Sequence, residues 1–159
     1  MVLKIVLAAL IATVNPLSAS DLAVCIEDQT KMYADDVALY QRILIAAAKS
    51  QGLSLKDACS AKTVVRVTIA LDAFGAEPSA LGATRVEAGR ILPEIYLFRN
   101  PIRRTLGSSL PALEVRAMVL VTLHELRHLT GQRHAHDSHG VFSAGFGRTQ
   151  LLALSRDYQ

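Results

Sequence analysis

The chain has no tryptophan, and aromatic residues make up only 5% of its 159 positions. No platform for stacking bases or sugar rings is evident in it. Positive charge is in only small surplus: 17 Lys and Arg against 14 Asp and Glu leave a formal net charge of +3, too little to argue for nucleic acid. No internal repeat, low-complexity tract or linker divides the chain. The apolar run from Ile5 to Val14 is too short to span a bilayer.

That run has Lys4 before it and Asn15-Pro16 after it, followed by the small residues Leu17-Ser18-Ala19-Ser20. The pattern is that of a secretory signal peptide over residues 1–20, cleaved after Ser20 or Ala19. Residues 21–159 then form a single domain, long enough for a proper core. An exported chain meets an oxidising compartment, secreted or periplasmic. There the only two cysteines, Cys25 and Cys59, are expected to form one disulfide; free thiols are the alternative.

Histidine is concentrated where other chemistry-bearing residues are thin. All five lie between His124 and His139. The segment His124-Glu125-Leu126-Arg127-His128 carries histidines four apart, which a helix places on one face and which can therefore share a metal ion. Glu125 lies next to that face, within reach of a water held by the metal. Gly131 can end the helix and turn the chain, which lets His134 return as a third ligand. The spacing favours His134, with His136 as the alternative. Three neutral imidazoles suit zinc and leave a fourth tetrahedral position open, the arrangement of a catalytic site. Asp137 and His139 are read as loop residues that could also orient a ligand or touch substrate.

The full string, His-Glu-x-x-His-x-x-Gly-x-x-His over His124 to His134, resembles the extended zinc motif of the metzincin metalloproteases. The resemblance implies His124, His128 and His134 as ligands of one catalytic Zn2+, Glu125 as general base and Gly131 as the structural turn. It also implies a tight turn beneath the metal, for which Gly140-Val141-Phe142-Ser143-Ala144 is correctly spaced. Phe142 stands where the clan has methionine, as an apolar floor of different shape. The implied fold is α+β: a small twisted mixed sheet, an N-terminal helix, a zinc-binding active-site helix and a short C-terminal subdomain. The implied substrate is a peptide or protein strand held in extended form along a sheet edge.

The element order read from the residues agrees. Asp28 or Thr30 caps a helix to about Ser50, with Val37, Tyr40, Ile43, Leu44 and Ala47 at helical spacing and its tyrosines in packing roles. Thr63 to Leu71 alternates as a strand, Ala83 to Glu87 is a weaker one, and Glu94 to Phe98 is a third. Pro93 places that third strand at an edge or marks its first residue. Arg99, Arg103 and Arg104 read as a solvated loop. Ser108 or Ser109 caps a helix from about Leu110 to Thr130, and a last helix spans Thr149 to Arg156.

The expected function is an exported zinc endopeptidase that hydrolyses peptide bonds with a zinc-bound water activated by Glu125. The alternatives are a non-catalytic zinc-binding domain of the same fold that binds peptides or proteins, and a periplasmic metal-binding protein built on the histidine cluster. The intact Glu125 argues against both, since neither needs a carboxylate there. No nucleic acid partner, and no membrane association after signal cleavage, is expected.

Overall fold

The computed structural model describes residues 22–60, 64–75, 77–108, 110–131, 136 and 145–156. Residues 1–20, His134, Asp137, His139 and the Phe142 turn lie outside them. The elements run β1 (Leu22–Asp28), α1 (Ala34–Ser50), β2 (Leu55–Asp57), β3 (Val65–Ala70), β4 (Gly82–Glu87), β5 (Arg90–Phe98), α2 (Arg99–Leu106), α3 (Pro111–Gly131) and α4 (Arg148–Arg156). The class is α+β, with five strands in the order β2-β1-β3-β5-β4. The first four strands in that order are parallel to one another, and β4 pairs antiparallel with β5 at the edge.

Alternation decides which face of the sheet is covered. Val24, Val65, Val67, Ile69, Ile91, Ile95 and Leu97 join the core with residues of α1 and α3. The opposite face carries Glu27, Arg66, Arg85, Glu94 and Tyr96. There Arg66 pairs with Glu27 at 3.3 Å, and Glu94 accepts from Arg85 at 3.1 Å and from the Tyr96 hydroxyl at 3.2 Å. These partly exposed pairs each add little to stability. Cys25 on β1 is joined to Cys59, which fixes the strand to the chain leading into β3.

Two strands and one helix differ from the sequence expectation. β1 and the three-residue β2 are additional. Pro93 lies inside β5, which is an inner strand. It is tolerated because pairing with β3 begins only at Glu94, and the register with β4 shifts between Thr84 and Val86, opposite the proline. Of the two candidate edges, the weaker Ala83 to Glu87 strand is the real one.

Arg99, Arg103 and Arg104 are not in a loop but form α2, closed by Gly107 at φ 61°. Ile102 and Leu106, one turn apart, fix its inner face. Arg99 is buried and donates to Glu114 on α3 at 2.5 Å and to Thr30 at 2.7 Å; Arg103 reaches the other Glu114 oxygen at 2.9 Å. Arg104 stays outside, 3.9 Å from Asp72.

The connection into α1 also differs. Asp28 does not cap the helix; its carboxylate accepts from the Thr30 amide and hydroxyl and from the Met32 amide, at 2.8, 2.6 and 2.6 Å. Tyr33 is the N-cap residue and offers no side-chain bond. Burial alone would raise the Asp28 pKa. The bonds from Thr30 and Met32, with the Arg99 charge, outweigh it and hold the group below its ordinary value.

α3 is the central element. It packs on α1, α2, α4, β4 and β5, so its apolar residues run nearly all round it rather than in one stripe. Pro111 occupies its first position, where a missing N–H leaves nothing unbonded. Among the described residues, no single helix is long and apolar enough to cross a membrane.

Candidate metal centre

The last two turns of α3 bring His124, Glu125 and His128 together, each less than a tenth exposed. The Nε2 atoms of His124 and His128 are 3.0 Å apart. His136 joins them from beyond the helix end. Its ring stacks on His124 with centroids 5.1 Å apart and meets His128 edge-on at 4.8 Å. One ring nitrogen from each of the three histidines lies within 4.8 Å of the others.

This donor set could hold one metal ion. Zinc–imidazole bonds of about 2.0–2.1 Å place tetrahedral ligand atoms about 3.3 Å apart, close to the His124–His128 separation. Two neutral nitrogens facing each other at that distance repel unless a proton or a cation lies between them. The three histidines would hold the metal, and the imidazoles do not by themselves select zinc over another divalent ion.

Of the residues expected here, His124, Glu125 and His128 are brought together, and Gly131 is the last residue of α3. His136, the alternative third ligand, lies beside the pair. His134 and Phe142 are outside the described residues.

Three participants had no signal in the sequence. Phe146 sets its ring edge-on to His124 at 5.5 Å, an apolar contact from the chain just before α4. Thr84 on β4 donates from Oγ1 to Glu125 Oε2 at 2.5 Å. Gly82, two residues earlier, allows that approach: a Cβ there would lie 2.5 Å from Val121 Cγ1 and 3.5 Å from Glu125 Cγ. Their positions depend on β4 crossing α3, a relation between segments about forty residues apart.

The cluster opens into a cleft of about 790 Å³. Residues Ala80 to Thr84 form one wall, α3 the floor, and Gly145 to Gly147 the opposite wall. β4 is the sheet edge on this side. The Phe98 amide donates to the Leu81 carbonyl at 2.9 Å, so alternation along the antiparallel pair turns the backbone groups of Gly82 and Thr84 away from β5, toward the open edge.

Comparison of the chain with protein-family models, with curated proteins and with solved structures found no match. The arrangement is thus read from its own residues: a three-histidine group able to hold a metal ion, a buried carboxylate next to it, and a cleft bounded by a strand edge. The Cys25–Cys59 disulfide is consistent with an extracellular or periplasmic location.

Proposed function

We propose that the protein is an exported zinc-dependent endopeptidase acting on extended peptide segments. The observation that carries this reading is Glu125, buried next to the His124, His128 and His136 group in a cleft whose wall is a strand edge. A peptide laid along β4 would take up the outward backbone groups of Gly82 and Thr84, so recognition would begin with main-chain hydrogen bonds. The bound metal would supply Lewis-acid polarisation of the scissile carbonyl and a lowered pKa for the attacking water. Glu125 would accept the proton of that water at its carboxylate and return it to the leaving amine nitrogen. Phe146 and the cleft walls would restrict water near the reacting carbonyl.

A second reading, a non-catalytic metal-binding domain that captures peptides, is favoured by one observation. Thr84 already engages Glu125, which gives the carboxylate a structural use without any turnover.

The two separate in one experiment. A diverse peptide mixture is incubated with the zinc-loaded protein and, in parallel, with Glu125→Ala, and the products are read by mass spectrometry. Cleavages made only by the intact protein are expected. Identical product spectra, with zinc measured in both proteins, would overturn the peptidase and leave the binding domain.

A further inference from the structure

The bond between Thr84 and Glu125 has a consequence for the metal centre, on the reading of His124, His128 and His136 as its ligands. Carboxylate oxygens bind zinc at about the same distance as imidazole nitrogens. Glu125 follows His124 directly and lines the same cleft as all three histidines. A carboxylate so placed has two competing fates. It can ligate the ion and close the site, or it can be held off and leave a position open for water.

We propose that Thr84 is a positioning residue whose hydroxyl holds Glu125 on the edge strand and keeps its carboxylate out of the metal's ligand shell.

The geometry is specific to this pair. Thr84 Oγ1 donates to Oε2 at 2.5 Å and lies 3.5 Å from the Glu125 carbonyl oxygen. A threonine on a strand has few χ1 choices, so the hydroxyl direction is set largely by the backbone. That backbone is itself pressed onto α3 at Gly82, where a Cβ would meet Val121 Cγ1 at 2.5 Å and the Tyr96 carbonyl oxygen at 3.0 Å. Gly82 and Thr84 share one face of β4, so the close approach at the first delivers the donor at the second. The same strand offers its outer edge to a peptide. A strand pairing there would bear on the backbone that carries the Thr84 hydroxyl, which links peptide binding to the position of the carboxylate.

Substitution by valine keeps the shape and the strand propensity of Thr84 and removes only the donor. The test is titration of the full-length, disulfide-intact chain with Co2+, whose visible absorption reports ligand number and type. Wild type, Thr84→Val, Thr84→Ala, Thr84→Ser, Glu125→Ala and the double variant Thr84→Val/Glu125→Ala are compared. The two variants without a donor are expected to show a spectrum altered by a fourth protein ligand. They are also expected to bind Co2+ about tenfold more tightly, since one hydrogen bond to a charged group no longer competes. Thr84→Ser should match wild type, and the double variant should match Glu125→Ala. Unchanged spectra in both Thr84→Val and Thr84→Ala, or a change that survives in the double variant, would overturn the role of Thr84 and leave the metal centre standing. Failure of the wild-type chain to bind Co2+ would overturn the metal centre and this role with it.

Discussion

Tyr40 on α1 and Thr122 on α3 meet through a buried hydrogen bond of 2.6 Å between their hydroxyls, two residues before His124. Thr122 donates onward to the Met118 carbonyl at 2.8 Å, so Tyr40 is the donor to Thr122. Burial pushes the Tyr40 hydroxyl well above its ordinary pKa, and the bond to Thr122 only partly opposes this. The tyrosine is therefore a neutral strut between the two helices. Tyr40→Phe removes a donor and leaves Thr122 bonded to Met118, which should cost about 1 kcal/mol. Thr122→Val strands the Tyr40 hydroxyl without its acceptor and should cost more, about 1–3 kcal/mol. Urea denaturation monitored by circular dichroism orders the two; equal costs would contradict the donor assignment.

The corner between α2 and α3 rests on Glu114, whose side chain is 2% exposed and receives both Arg99 and Arg103. Glu114→Gln leaves the buried Arg99 guanidinium without its counter-charge. Breaking a buried pair in this way costs about 3–5 kcal/mol. The expected outcome is a large fall in the thermal midpoint, with Arg103→Gln costing much less because Arg103 keeps solvent contact. Similar losses in the two variants would mean that Glu114 is not a buried anchor.

Asp28 contributes to the acid limb of stability. Its folded pKa lies below the ordinary 3.8, so the folded state binds its proton less readily than the unfolded state does. The contribution is complete above the unfolded pKa and is lost as pH falls through the folded one. Urea midpoints measured from about pH 5 down to about pH 2 should therefore fall less steeply in Asp28→Asn than in wild type. Parallel curves would show that Thr30, Met32 and Arg99 do not hold the carboxylate in its charged form.

What was legible in the sequence follows from range. The helical spacing of Tyr40, Leu44 and Ala47, the alternation in β3 and β5, and the motif at the end of α3 are all local patterns, and each produced its element. α2 was missed because Arg-Asn-Pro-Ile-Arg-Arg-Thr-Leu shows charge first. The Ile102–Leu106 pair closed by Gly107 was the signal that could have found it. β1 begins Leu22-Ala23-Val24-Cys25-Ile26, apolar without alternation, and does not stand out beside the preceding apolar run. At the site, His124, Glu125 and His128 lie on one helix and were read directly. Thr84, Gly82 and Phe146 come from other elements, and the folded chain alone brings them to the motif.

The disulfide closes a long loop, with Cys25 and Cys59 separated by 34 positions. Chain-entropy reasoning for a loop of that length gives about 4 kcal/mol of stabilisation. Cys25→Ala/Cys59→Ala should lower the urea midpoint accordingly while the slope of the transition stays close to wild type or rises slightly, because the unfolded chain is less constrained. The same loss should follow reduction of the wild-type protein with dithiothreitol. A variant as stable as the parent would place the two cysteines outside the determinants of the fold.

Gly82 tests the strand–helix approach on which the cleft wall depends. Its φ is not in the left-handed region, so a side chain there meets no backbone strain, only neighbours. An alanine Cβ would stand 2.5 Å from Val121 Cγ1 and 3.0 Å from the Tyr96 carbonyl oxygen. Val121 is 2% exposed, and the Tyr96 oxygen belongs to the backbone of β5. Gly82→Ala should therefore cost about 1–3 kcal/mol by forcing β4 away from α3. Val121→Ala alone should cost about 2 kcal/mol by leaving a small cavity. In the double variant the new methyl group enters the space that the valine gave up, so the combined loss should be clearly smaller than the sum of the single losses. Additive losses would show that the two residues do not share this contact, and would remove the structural reason for a glycine two residues before Thr84.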